Sequence, residues 1–239
     1  MTPDRTSPVA LVTGGSQGLG LALTRALDAA GWRVVVDARH PEALTRAVSG
    51  LAGVTAVPGD VTDPAHRGML AAAVAGLGRL DLLVHNASAL TGSDSPSPLP
   101  ALAELPAADL ERIIAVNVLA PLALTQLLLG ELRTAHGTLV TLSSDAAVEA
   151  YPGWGGYGSS KAALDQLAAV LAAEHPDLHV YAVDPGDMNT AMHQRAFPGE
   201  DISDRPLPET VVPALLRLVR QELPSGRYRA ADLLAAVPA

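Results

Sequence analysis

The sequence predicts a single α/β domain built on a doubly wound parallel sheet of about seven strands flanked by helices. Three observations carry that expectation. Short aliphatic and β-branched runs alternate with longer helix-period segments along the 239 residues, a rhythm that builds βαβ units. Most of the apolar runs lack the polar alternation of a half-exposed sheet, as expected of strands buried on both faces. The first run leads through a glycine-rich turn directly into an amphipathic helix, the order in which such folds bind a phosphate.

Taken in chain order, strands are expected at 9–13, 33–37, 55–57, 80–85, 138–142 and 180–183, with a weaker seventh at 226–230. Helices are expected over 19–30, 41–51, 64–76, 107–133, 158–174 and 208–222. Pro41, Pro64 and Pro208 suit first-turn positions, where a missing N–H costs nothing, and Asp63 is placed to cap the third helix. Pro121 lies inside the fourth helix and should kink it, because it cannot donate to the turn before it. Two stretches read as irregular: 88–106, rich in Ser, Pro, Asp and Gly, and a variable loop at 187–206. No repeat or composition break suggests a second domain, so residues 1–239 are read as one.

Composition narrows the function. Hydrophobic residues make up 49% of the chain and aromatics only 3%, so the core must be aliphatic. A net charge of −9 argues against nucleic acid, which demands a basic surface. No cysteine is present, which excludes thiol catalysis and disulfides. Residues 1–5 have no apolar leader, and the apolar stretch 118–129 is too short to span a bilayer; a soluble, cytoplasmic protein is expected, with no membrane partner. Only His175 and His179 have helical ligand spacing, and Pro176 interrupts it, so no metal site is expected. The helix over 107–133 is apolar on almost every side, through Ile113, Ile114, Val116, Val118, Leu122 and Leu124 among others. A helix of that kind needs partners all round, which points to a homodimer or homotetramer.

The chemistry begins with lysine usage. Lys161 is the one lysine in the chain, beside fifteen arginines, and it stands four residues after Tyr157. Residues i and i+4 share a helix face, so a compact ammonium can sit beside a phenol and draw its pKa down from about 10. The second feature is the turn Thr13-Gly14-Gly15-Ser16-Gln17-Gly18-Leu19-Gly20. Its glycines permit a tight turn and close approach of backbone to a pyrophosphate, and the following helix N-terminus offers oriented N–H groups.

With these motifs in view, the chain resembles the short-chain dehydrogenases/reductases, a Rossmann-type family. Thr-Gly-x₃-Gly-x-Gly matches Thr13 to Gly20, and Tyr-x₃-Lys matches Tyr157 and Lys161. Asp60-Val61 stands where the family holds adenine, Asn86-Ala87 matches its structural Asn-Ala-Gly turn, and Pro185, Gly186 and Thr190 match Pro-Gly-x₃-Thr near the nicotinamide. His85 and Ser88 depart from the commonest Asn and Gly. The resemblance implies that Ser144, thirteen residues before the tyrosine, and Asn117 complete a catalytic set with Tyr157 and Lys161.

The resemblance implies a nicotinamide cofactor. The NAD-selecting acid of the family would fall at position 38, which is Ala, whereas its NADP-selecting arginine falls at Arg39. Asp37 should point to the opposite face of its strand. NADP(H) is therefore favoured, with NAD(H) as the alternative. The expected reaction interconverts a carbonyl and an alcohol, with Tyr157 as general acid/base, Ser144 holding the substrate oxygen, Lys161 binding the cofactor ribose and Asn117 positioning a water. An isomerase, cyclase or dehydratase using the same four residues, or a nucleotide-binding sensor, are the competing readings. Asp145, Glu149, Tyr151, Trp154, Met188, Met192, His193 and Phe197 are candidates for the pocket wall, with His193 expected to be an exposed loop residue.

Overall fold

The computed structural model describes residues 7–91 and 97–235. The N-terminal stretch 1–5 and the middle of the loop expected over 88–106 lie outside the described residues. Seven parallel strands form one sheet in the order β3-β2-β1-β4-β5-β6-β7. These are β1 Val9–Val12, β2 Arg33–Ala38, β3 Val54–Pro58, β4 Leu82–His85, β5 Thr138–Leu142, β6 His179–Asp184 and β7 Gly226–Arg229. The weak seventh strand therefore forms, pairing along β6 from Tyr181↔Gly226 to Asp184↔Arg229.

Helices cover both faces: α1 Gly18–Ala29, α2 Pro41–Ala47, α3 Pro64–Leu77, α4 Ala107–Ile114, α5 Ala120–Thr134, α6 Gly155–Glu174, α7 Ala191–Ala196, α8 Val212–Gln221 and α9 Ala230–Ala235. Side chains alternate along a strand, and β1 divides its burial accordingly. Ala10 and Val12 pack with Leu23 and Leu27 of α1 and Leu215 and Leu218 of α8. Val9 and Leu11 pack on the other face with Leu70 and Val74 of α3 and Leu124 and Leu128 of α5. Both sets are fully enclosed, which is why these strands carry no polar alternation.

Local signals explain several boundaries. Asp63 caps α3 by accepting from the Ala65 N–H at 2.9 Å, as expected of a helix-start aspartate. Helix 208–222 instead opens as a short 3₁₀ turn, Pro208–Thr210, before α8. Inside the loop expected at 187–206, Thr190 caps the His193 N–H at 3.2 Å and starts α7.

The fourth expected helix is corrected in two ways. Its break is a π-turn over Ala115–Leu119, where the Ala120 N–H reaches the Ala115 carbonyl five residues back. Pro121 has no N–H to return to the carbonyl of Asn117 four residues before it, so the wide turn sits just ahead of the proline. The helical run Ala107–Thr134 is also long and apolar enough to cross a membrane, longer than the stretch 118–129 suggested. Half of its most apolar window is buried in the protein, with α5 against α3 and β4 and α4 against α6. That is the packing of a core helix. Leu119, Leu122 and Leu127 remain exposed on its outer side.

Candidate active site

The strand order reverses between β1 and β4, and the crevice at such a switch point is where open α/β sheets bind ligands. A cleft of about 700 Å³ opens there. Gly14, Ser16, Gln17, Gly18 and Leu19 line one end, with Arg39, Asp60 and Val61 beside them. Asn86 follows, and Pro185, Gly186 and Thr190 line the far part with Ser144, Tyr157 and Lys161. Of the expected site residues, Gly20 and Asn117 do not line the cleft; both hold it together from behind.

The glycine turn fits a diphosphate. Gly14 and Gly18 adopt φ +71° and +56°, a region that favours glycine. Gln17 at the N-cap of α1 makes no side-chain capping bond and no acidic residue occupies the first turn, so the amides there are left for an anion. Gly20 packs instead. A Cβ on it would stand 2.4 Å from Asn86 Nδ2 and 2.6 Å from the Gly14 carbonyl. Asn86 Nδ2 donates to the carbonyls of Thr13 (2.8 Å) and Gly14 (3.0 Å), pinning the turn to the end of β4.

Asp37 reaches the edge of the cleft but its carboxylate is committed to protein partners. It is 2% exposed and its Oδ1 accepts from the Gly14 N–H at 2.7 Å. Its Oδ2 lies 3.1 Å from Nε2 of buried His66 on α3. Burial pushes the Asp60 carboxyl up, but bonds from the Thr62 N–H and hydroxyl, with the charges of Arg39 and Arg112, outweigh it and hold the group below its usual range.

At the other end, α6 presents Tyr157 and Lys161 beneath the end of β5. The Tyr157 ring shares this end of the cleft with Ser144 and Ser88, whose hydroxyls act on its phenol. Lys161 Nζ lies 5.4 Å from the centre of the Tyr157 ring and donates to the Leu142 carbonyl at 2.8 Å. Burial draws this ammonium down to about 8, partly offset by Asp165. The expected depression of Tyr157 is not met. Burial raises its phenol, reinforced by the Asp184 and Asp145 charges, while the nearby Ser88 and Ser144 hydroxyls only partly counter this. The ammonium engages a carbonyl rather than the phenol oxygen, so desolvation wins.

Asn117 spends its whole amide on structure. Nδ2 donates to the Ala89 carbonyl and to Ser160 Oγ, both at 2.9 Å, and Oδ1 accepts from the Ala89 N–H (2.8 Å) and Ser88 Oγ (3.3 Å). Its side chain thus ties the strand-end loop to α6. Ser88, marked in the sequence only as a departure from glycine, is a site residue that motif reading missed; the added hydroxyl was its signal.

Behind Ser144 lies a second unforeseen group. Arg227 of β7 donates to Asp165 Oδ2 at 3.1 Å and to the Ser144 carbonyl at 2.8 Å, with Asp184 Oδ2 at 3.5 Å. Ser143 Oγ also donates to Asp165 Oδ2, at 2.6 Å. His85, the other departure, donates to or accepts from Thr125 Oγ1 of α5 at 2.8 Å. Burial pushes its imidazole down to about 3, so it is neutral.

Tyr151, Trp154, Met188, Met192 and Phe197 line the open end together with Asp145. Trp154 meets the Tyr157 ring edge-on at 5.6 Å and Phe197 at 6.0 Å. His193 is not the exposed loop residue expected. Its side chain is 10% exposed, its ring lies 4.8 Å from that of Phe197, and its Nε2 has no protein partner.

Comparison with known proteins gives a consistent answer. A family model described as short chain dehydrogenase matches residues 8–201. An uncharacterised oxidoreductase of Schizosaccharomyces pombe is 32% identical over 186 residues, covering 77% of this chain and 72% of that protein. The L-xylulose reductase of Bos taurus is 33% identical over 192 residues, 79% of this chain and 75% of the relative. A short-chain dehydrogenase structure from Shigella flexneri, complexed with NADP, superposes with a TM-score of 0.85 at 27% identity, covering 94% of this chain and 97% of that one.

Proposed function

This chain belongs to the short-chain dehydrogenase family and is an oxidoreductase; from that premise we propose that it interconverts a carbonyl and an alcohol on a small molecule with NADP(H). The observation that carries the reading is the placement of Ser144, Tyr157 and buried Lys161 together in a cleft that the glycine turn also lines. The nicotinamide, when bound, supplies or accepts the hydride.

Tyr157 holds the proton that the carbonyl oxygen receives and takes it back in reverse. Burial holds its phenol above the ordinary value, so it is protonated at neutral pH; efficient transfer calls for a value nearer the operating pH, and the nearby Lys161 ammonium works in that direction. Ser144 holds the substrate oxygen, where its hydroxyl also meets developing charge. Lys161 would hold the nicotinamide ribose. Asn117 acts through position: its amide fixes Ser88 and Ala89 against α6, and its backbone carbonyl, to which Pro121 offers no N–H, would hold a water. Tyr157→Phe should abolish turnover and keep NADPH binding, measured by absorbance of the reduced nicotinamide across a carbonyl panel and by fluorescence titration. Wild-type turnover in that variant would sink the assignment.

Three observations support NADP(H). Position 38 is an alanine, Asp37 is committed to Gly14 and His66, and Arg39 lines the cleft with His40. A similar protein was solved with NADP. Exposed Leu119, Leu122, Leu127 and Val170 on α5, α6 and the turn before α5 support association of copies through these helices; light scattering showing a strict monomer would refute it.

A further inference from the structure

The carboxylate of Asp145 stands directly beside the catalytic serine. Its Oδ1 accepts from Ser144 Oγ at 3.0 Å and from the Ala146 N–H at 2.8 Å. Its Oδ2 accepts from the Tyr151 hydroxyl at 3.1 Å. Trp154, Phe197, Met188 and Met192 make the rest of this wall largely apolar. Asp145 itself is exposed in the open cleft; a substrate seated on Ser144 would cover it, and a covered charged acceptor is costly to leave without donors.

Resting on the carbonyl–alcohol reading above, the step itself disturbs that balance. Ser144 has one hydroxyl proton, and it can point at Asp145 or at a substrate carbonyl, not at both. When the substrate oxygen takes it, Asp145 Oδ1 loses a charge-assisted bond. Oδ1 keeps the Ala146 N–H, and once the substrate shuts water out the replacement comes from a donor on the substrate itself. Asp145 Oδ1 lies 3.0 Å from Ser144 Oγ, and oxygens on adjacent carbons stand about 3 Å apart by ordinary bond lengths. A donor on the carbon next to the carbonyl therefore matches the spacing.

We propose that Asp145 selects substrates carrying a hydroxyl or amino group on the carbon adjacent to the reacting carbonyl, that is, α-hydroxy or α-amino ketones and the corresponding vicinal diols or amino alcohols. Tyr151 steadies the carboxylate for this role. The surrounding charge agrees with a donor-bearing, non-anionic substrate: Asp145, Glu149 and Asp187 all press the Tyr151 phenol upward, after its bond to Asp145 and burial. Arg195, exposed on α7, is a cation that also lines the cleft.

The test uses 2-hydroxyacetophenone and propiophenone, which differ by O–H against CH₃ beside the same carbonyl. With NADPH, the wild-type enzyme should favour the hydroxyketone in kcat/KM by about tenfold or more. In Asp145→Ala the ratio should collapse towards that of intrinsic reactivity. Asp145→Asn, which retains an acceptor at Ala146 without the charge, should fall between the two, and NADPH titration of each variant establishes that it is folded. An unchanged ratio in folded Asp145→Ala or Asp145→Asn, with both ketones reduced, overturns the role of Asp145 and leaves carbonyl reduction standing. Failure of the NADPH-loaded wild type to reduce either ketone overturns both.

Discussion

Arg227, on the last strand of the sheet, donates to the backbone carbonyl of Ser144 at 2.8 Å, so the edge strand β7 holds the serine on which the proposed chemistry turns. The same guanidinium reaches Asp165 and faces Asp184. A planar fork with several donors can serve three acceptors where a single ammonium cannot. Asp165 lies one helical turn beyond Lys161, and the two charges stabilise each other. The framework behind the site is thus electrostatic as well as geometric.

Arg227→Met should lower kcat by between about tenfold and a hundredfold, the cost of a small misplacement of reacting groups. NADPH affinity should stay within about twofold, because β4, β5 and β6 stand between β7 and β1, which leads into the glycine turn. Arg227→Lys should behave like Met, since it cannot span the three acceptors. Steady-state kinetics beside a cofactor titration would check this, and a loss of NADPH affinity equal to the loss in kcat would show general loosening instead.

The glycines of this chain make opposite predictions that can be compared directly. Gly20→Ala places a methyl 2.4 Å from Asn86 Nδ2 and 2.6 Å from a backbone carbonyl, so the turn must open. A destabilisation of about 1–3 kcal/mol and a NADPH affinity at least about tenfold weaker are expected. Gly130→Ala on α5 meets nothing within 4 Å and should stabilise by about 0.5–1 kcal/mol through helix propensity. Urea unfolding of both variants reads the contrast.

Coenzyme choice separates two neighbours on β2 and its end. Arg39→Ala should weaken NADPH by about tenfold or more, the loss of a charge-assisted phosphate contact, and barely change NADH. Asp37→Ala should weaken both coenzymes alike, because it removes the acceptor for the Gly14 N–H rather than a ribose contact. A selective loss of NADH in Asp37→Ala would reverse the assignment.

The parts legible in the sequence are those whose partners are close in the chain. Thr13 to Gly20 is one turn, and Tyr157 and Lys161 are one helical step apart, so residue order carries their geometry. Ser144 was reachable through the family resemblance, which sets a serine thirteen residues before the tyrosine. Ser88, His66 and Arg227 were not, because their contacts span 29 to 83 residues and no local period encodes them. The π-turn shows an intermediate case: Pro121 announces a break, but only the packing of Asn117 against Ala89 and Ser160 says on which side the helix widens. Helix α7, capped by Thr190, reads as loop in the sequence because a six-residue helix is too short to leave a period.

Lys161 offers the sharpest test of function against stability. Its ammonium is 2% exposed and titrates at about 8 in the fold against 10.5 when free. Between those values the unfolded chain binds more protons, so stability rises with pH across that window, and below pH 8 the full cost applies. A fall from 10.5 to about 8 corresponds to about 3 kcal/mol. Lys161→Met should therefore be more stable than wild type at pH 7, by an amount that shrinks towards pH 10, and yet inactive. Lys161→Arg keeps charge but must fit a broad fork where Nζ reaches the Leu142 carbonyl at 2.8 Å, and should lose most activity as well. Urea unfolding at both pH values decides the matter. A chain that is otherwise free of lysine and keeps one where it destabilises the fold retains it for what the amine does; a Met variant less stable at pH 7 would show that the lysine is there for packing.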